Sequence, residues 1–427
     1  MLASSILPLA LVGAASMIPS ASASPIHING QAPTVTGSDG SISQDLLQRG
    51  FDQAVERSIA QLSERAPKTD KECSSKARRS RKDKRFSRSA VPLINQADLV
   101  TFAPAQIGTP YQDAILLVDT GSADILVPRA TAEYPSGSGG FDTSKSRTFR
   151  KGDGSETLFS FGVGSAMGTV VHDKVNIGGF IQIAHPFGLI SPDAIGKGAL
   201  GVLGLSFGSI SKINGGITFF DRLIRDKSLV SNLFGLFHSR GGVSGSQLTL
   251  GAIDSTRYEG ELTTVPVKAQ SQWTIQMNQA TIDGEAVFDG PVYSAVDSGA
   301  TYTIIPKAIT DAYFARVPGS VANPEHNITT TISGATVVGQ IYEYPCDAEI
   351  PELGFVFDGA ERNFNIASDD MYILQSKASG LCTASIIGAD VNYYGQKAAL
   401  LGVSFLKNWY SVFNHDDATV SFASAKH

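Results

Sequence analysis

The stretch Asp119-Thr-Gly-Ser-Ala-Asp-Ile-Leu-Val-Pro128 returns, loosely rewritten, as Asp297-Ser-Gly-Ala-Thr-Tyr-Thr-Ile-Ile-Pro306. A Val precedes each Asp (Val118, Val296), Asp-Thr/Ser-Gly follows, and an apolar pair closed by Pro ends each copy. A chain that carries one carboxylate twice in the same local setting can bring the two face to face across a two-fold axis. Downstream, Leu200-Gly-Val-Leu-Gly-Leu-Ser-Phe207 answers the first copy and Leu400-Leu-Gly-Val-Ser-Phe405 the second. The same order of elements in both halves points to duplicated lobes. The Gly after each Asp allows a tight turn that a side chain would block. An apolar strand carrying Gly204 or Gly402 can then pass close behind that turn and hold it rigid.

Composition sets the fold class. The 427 residues suffice for two or three cored domains, and 42% hydrophobic with 17% charged residues reads as globular. Short Val/Ile/Thr/Phe runs broken by Gly, Ser, Asp and Asn predict an all-β chain with few short helices. Thr218 to Val230 is the clearest helical stretch of the main body, with apolar Phe219, Phe220, Leu223, Ile224 and Leu229.

The N-terminal part has a different character. Residues 1–23 read as a signal peptide: the apolar stretch Ile6 to Ile18 is too short for a bilayer, and Ala21-Ser-Ala23 fits a small-residue cleavage site. Residues 44 to 63 place Leu47, Phe51, Val55, Ile59 and Leu62 at helical spacing. A Lys/Arg-rich run then spans Arg65 to Arg88. It could be a solvated linker, but a nucleic-acid face would need a folded basic surface, and none is suggested. Residues 24–85 are read instead as a basic propeptide cut after Lys84-Arg85. Up to residue 85 there are 12 Lys/Arg against 8 Asp/Glu, and after it 22 against 32. A leader of net charge +4 is attracted to a body of −10, and the attraction weakens as carboxylates protonate in acid. No later apolar run is long enough for a membrane anchor, and no lipid-anchor tail follows.

Three cysteines occur, and Cys73 lies in the proposed leader, which leaves Cys346 and Cys382 as one pair outside it. Asn327-Ile-Thr329 is a glycosylation acceptor that implies a surface loop.

Two carboxylates forced together cannot both ionise easily, so one proton is shared and the pair titrates as a unit. The ionised member can take a proton from a water held between them while the other polarises a substrate carbonyl. This chemistry needs no metal and no cofactor. One Asp-Thr-Gly alone is an ordinary turn; two in matching frames are far more specific.

Over roughly residues 90 to 427 the chain resembles a pepsin-like aspartic peptidase of the secreted fungal kind. Further landmarks are Gln106-Ile-Gly-Thr-Pro-Tyr-Gln-Asp113, Phe219-Phe-Asp-Arg-Leu, and Asn408-Trp-Tyr-Ser-Val-Phe-Asn414. The resemblance implies two β-barrel-like lobes around a cleft, residues 86–262 with the first Asp and flap, and 263–427 with the second. It implies that Asp119 and Asp297 are catalytic, supported by Thr120, Gly121, Ser122, Ser298, Gly299 and Ala300. Cys346 and Cys382 fall where the family has a second-lobe disulfide. The implied partners are extended polypeptides, the chain's own propeptide as an intramolecular inhibitor, and pepstatin-like inhibitors. The protein is expected to act as a monomer, outside the cell or in a vacuole.

Two positions depart from that pattern. The flap segment Ser160 to Gly168 has Phe161 where a Tyr is usual, followed by Gly162, Val163 and Gly164, and Leu126 stands where its Trp partner is usual. Losing one polar group would strand the other, so the joint change reads as a coordinated apolar replacement. Ala300 also lacks the hydroxyl that Ser122 keeps, which should leave the second carboxyl with a higher pKa. Two rival readings are carried. One is a catalytically weak or inactive pepsin-like binding protein, motivated by the altered flap. The other is a serine hydrolase using Ser206 within Gly204-Leu-Ser-Phe-Gly208, although the alternating helices it requires are lacking.

Overall fold

The computed structural model describes residues 89–427 except 137–138, 162–163, 193, 196–199, 214, 325–326, 333–334, 376–378 and 394–395. The expected signal peptide, the helix at 44–63, Cys73 and the Lys84-Arg85 site lie outside the described residues.

The chain is all-β and bilobal. In the first lobe, eight strands between Ile94 and Gly204 form one sheet. An additional pairing of Val100–Ile107 with Gly164–Ile177 closes it into a barrel, with Ile94–Gln96 and Arg150–Phe161 added outside the ring. In the second lobe, strands between Ala269 and Leu401 form a nine-stranded sheet. Alternating and continuous apolar runs supply the cores: Ala103, Ala105, Leu116, Val118 and Phe187 are buried in the first lobe, and Ile275, Met277, Phe355 and Leu401 in the second.

Beneath both lobes lies a six-stranded antiparallel sheet to which both halves contribute. Its order is Ser89–Pro92, Gln247–Leu250, Leu233–Phe237, Trp409–Asn414, Thr419–Ala425 and Tyr258–Pro266. Trp273 is fully buried above it and packs edge-on against Phe234 and Phe413. Such ring pairs add to the burial of area alone.

The expected helix at Thr218 to Val230 is shorter, Phe219–Arg225. Thr218 and Asp221 form a reciprocal capping box at its start. It ends at Asp226, after which Lys227 turns to a positive φ of 52°. Leu229 is buried all the same, from the turn that follows; its apolar character, not a helical period, prolonged the expectation. Lys307–Phe314 and Val403–Leu406 are the other α-helices among the described residues. Cys346 and Cys382 form a disulfide between positions 36 apart. No helix among the described residues is long and apolar enough to cross a membrane.

Candidate active site

Each repeated Asp stands at the end of a strand and at the start of a tight turn. Strand Gln112–Asp119 runs parallel to Gly201–Gly204, with Asp119 opposite Gly204. Strand Glu285–Val296 runs parallel to Gln396–Leu401, and Asp297 donates its N–H to Leu401 O at 3.0 Å. Gly204 ends its backing strand as expected, whereas Gly402 lies just past the strand Gln396–Leu401 and caps the helix Val403–Leu406; both still press on a turn. A Cβ on Gly204 would lie 2.8 Å from Ala123 Cα, and one on Gly402 would lie 2.7 Å from Ala300 O. Both approaches exclude a side chain, so the turns rest directly on backbone.

The two turns hold each other across the lobes. Thr120 Oγ1 donates to Val296 O at 2.8 Å, and Ser298 Oγ donates to Val118 O at 2.7 Å. Each hydroxyl also accepts the other's backbone N–H: Thr120 N to Ser298 Oγ at 3.1 Å, Ser298 N to Thr120 Oγ1 at 2.9 Å. Four buried bonds thus relate residues almost 180 positions apart, and Ser298 does the same work as Thr120.

This exchange brings the carboxyls together. A Cβ on Gly121 would collide with the Asp297 carboxyl group, and one on Gly299 would lie 2.6 Å from Asp119 Oδ1. Each glycine therefore leaves the space that the opposite Asp fills. Gly121 N–H donates to Asp119 Oδ1 and Gly299 N–H to Asp297 Oδ1, both at 2.8 Å. Symmetry ends at the outer oxygens. Ser122 Oγ donates to Asp119 Oδ2 at 2.5 Å, whereas Asp297 Oδ2, buried, has no protein donor. Ala300, buried beside it in sequence, offers no hydroxyl.

The electrostatics follow from this geometry. Burial raises the Asp119 carboxyl above its usual range, and the bond from Ser122 opposes it. Asp297 is raised further, by burial first and then by the negative charge of Asp119. One proton shared by the pair relieves the cost of burying two carboxylates side by side.

A match to the Eukaryotic aspartyl protease family spans residues 101–425. The chain belongs to that family. Pepsin A of Sus scrofa is 30% identical over 343 residues, 78% of this chain and 83% of that protein. Pregnancy-associated glycoprotein of Equus caballus is 30% identical over the same shares. Cathepsin E-B of Xenopus laevis is 28% identical over 341 residues, 78% of this chain and 81% of its own. This aspartyl protease is an aspartic-type endopeptidase, acting on peptide bonds.

The remaining expected residues of the aspartyl protease fall as follows. Strands Arg150–Phe161 and Gly164–Ile177 pair as a hairpin, with Phe161 opposite Gly164; Gly162 and Val163 lie outside the described residues. Leu126 is buried in an apolar cluster with Phe159 and Ala166 of that hairpin and with Ile190, Val202 and Ile213. Gly188 makes room there: a Cβ on it would lie 2.7 Å from both Leu126 and the Phe159 ring. Asn327 is half-buried, its Oδ1 accepting the Ile341 N–H at 3.3 Å. Ser206, the nucleophile of the serine-hydrolase reading, is wholly buried, and its hydroxyl donates to Ser271 O at 3.0 Å. Its place behind the Asp119 turn, with Ser206 N–H on Ser122 O at 2.9 Å, accounts for it structurally. Among the described residues no group of three or more His, Cys, Asp or Glu is arranged to hold a metal.

Sequence reasoning missed the segment that opens the second half. Gln272 Nε2 donates to Gly121 O at 3.1 Å, and Trp273 Nε1 to Leu205 O at 3.0 Å. Together with Ser271 they brace the first turn from the opposite lobe. The available signal was compositional: Trp273 is one of only two Trp in the chain.

Proposed function

We propose that Asp119 and Asp297 are the catalytic pair, with Asp119 ionised and Asp297 carrying the shared proton in the resting enzyme. The observation that carries this reading is the asymmetric donor set: Asp119 Oδ2 has the Ser122 hydroxyl, Asp297 Oδ2 has none. A water between the carboxyls gives its proton to Asp119 as it adds to the amide carbon. Asp297 donates its proton toward the carbonyl oxygen, and the pair then protonates the leaving nitrogen. Thr120, Ser298, Gly121 and Gly299 keep both groups in place without moving, so little reorganisation accompanies charge transfer.

The substrate on this reading is an extended polypeptide with apolar residues around the cut, laid beneath the hairpin. The apolar cluster that Leu126 and Ile213 form with Phe159 of that hairpin supports the preference. An apolar contact there still excludes water. The protein is further proposed to be exported, outside the cell or to a vacuole, as a monomeric, glycosylated zymogen divided at 85/86 and 262/263. The reading of the secreted fungal branch belongs to this proposal; the relatives above are vertebrate and speak to the family.

The decisive assay incubates processed protein with denatured haemoglobin or casein at pH 3 to 5, with and without pepstatin. Asp119→Asn and Asp297→Asn should each lower cleavage by roughly a hundredfold or more. Equal cleavage by either variant would remove the pair from catalysis and favour a binding role. Full-length protein held at pH 3 to 4 should lose its leader; a leader still bound and uncut there would end the zymogen reading.

A further inference from the structure

A buried ionic cluster lies at the seam between the six-stranded sheet and the second lobe. Asp370 is 2% exposed, with Arg240 Nη2 2.5 Å from Oδ2 and Lys407 Nζ 3.0 Å from Oδ1. The three come from separate elements. Arg240 follows the sheet strand Leu233–Phe237, and Asp370 ends the 3-10 turn Ser368–Asp370. Lys407 closes the helical turn Val403–Leu406, which starts at Gly402 behind the Asp297 turn. Arg240 also reaches Asn408 Oδ1 at 3.0 Å, and Asp98 of the first lobe accepts the Gly241 N–H at 2.9 Å. The cluster therefore ties the first lobe, the shared sheet and the support of Asp297 together.

His238, two residues before Arg240, is 1% exposed, and neither of its ring nitrogens has a hydrogen-bond partner. Lys407 and His427 face it as positive or potentially positive groups. His427 lies 5.5 Å from the Phe237 ring, with Nε2 2.8 Å from Lys407 O. The anions that act on neighbouring His427 are Asp370 and Asp98. Asp370 already balances two cations, and Asp98 is bonded to Gly241 and Asn95. Among the described residues, no carboxylate is paired with His238 to meet its proton.

We propose that His238, Lys407, Asp370 and Arg240 form an acid-release latch. Protonation of His238 loosens the seam between shared sheet and second lobe, and so sets the acid limit of the folded enzyme. Burial, then Lys407, pushes the His238 imidazole down to about 3 from 6.5. Because the folded value is depressed, the stability contributed by neutral His238 is full above the unfolded value near 6.5. It is lost progressively as pH falls toward 3. His185 and His415 are also held down, to about 3 and about 4, but lie elsewhere: His185 against Phe219, His415 among Trp273, Phe220 and Phe207. They share the general acid cost but not the seam.

The test follows acid unfolding by tryptophan fluorescence and, on the unaltered protein, hydrogen exchange between pH 6 and 4. His238→Leu should move the acid midpoint down by about half a pH unit or more, whereas Asp370→Asn should move it up by a similar amount. In the unaltered protein, amides around 238–241 and 404–410 should open before those near His185. An unmoved midpoint in His238→Leu overturns the latch. Should that variant not fold, an unmoved midpoint in Asp370→Asn does so, as does exchange that opens first around His185. The latch stands apart from the catalytic assignment, since none of these readouts measures cleavage.

Discussion

At the level of single residues, Asp297 differs from Asp119 by one hydroxyl. Ala300→Ser supplies a donor of the kind that Ser122 gives Asp119, and an added donor favours the charged form. We expect the alkaline limb of the kcat/KM profile, set by loss of the Asp297 proton, to move down by about half to one pH unit. A limb that stays in place would mean that the new hydroxyl does not reach the carboxyl. The unaltered enzyme should not peak below about pH 2.5, since its second carboxyl is raised by burial and by Asp119. The same shift has a stability consequence. A carboxyl whose folded value is raised stabilises the fold as its acid form, below the unfolded value, and that benefit is lost as pH rises through the folded value. Asp297→Asn should therefore raise Tm over the unaltered protein at pH 7 and leave it nearly unchanged at pH 3. Equal gains at both would place the ionisation cost elsewhere. Gly121→Ala should inactivate the enzyme, because its methyl group needs the volume held by the Asp297 carboxyl; a folded variant that retains full cleavage would contradict the packing described.

At the level of elements, what the sequence made legible was whatever repeats locally. Asp119 and Asp297 announce themselves because each sits in the same decapeptide frame. Gly204 and Gly402 do so because backbone pressed on a turn can tolerate no side chain. The exchange between Thr120 and Ser298 joins residues almost 180 positions apart, and no local period records it. The bracing by Ser271, Gln272 and Trp273 was hidden for the same reason. The helix expected from Thr218 to Val230 ends at Arg225; burial of Leu229 by a turn and burial by a helix leave the same apolar letter. The Cys346–Cys382 bridge ties the strand Leu381–Ala384 to the turn after Tyr342–Pro345. On a chain-entropy account a loop of this length contributes about 3–4 kcal/mol. Replacing both cysteines by Ala should lower the denaturant midpoint accordingly, without changing kcat at the working pH, since the bridge is remote from the Asp turns in sequence and bonding.

At the level of the whole molecule, the shared sheet decides how the halves depend on each other. Its central hairpin, Trp409–Asn414 with Thr419–Ala425, comes from the chain's end. It is flanked by Leu233–Phe237 on one side and Tyr258–Pro266 on the other. Both flanks precede the second Asp, so the terminal hairpin is gripped by strands of the earlier half. Covalent continuity between the halves is then dispensable once folding is complete. A single nick near Lys268, made on the native enzyme, should yield two polypeptides that co-elute as one particle and still hydrolyse casein. Mixing halves that were expressed apart poses a harder task, because each lacks neighbours for its sheet edges until the other arrives.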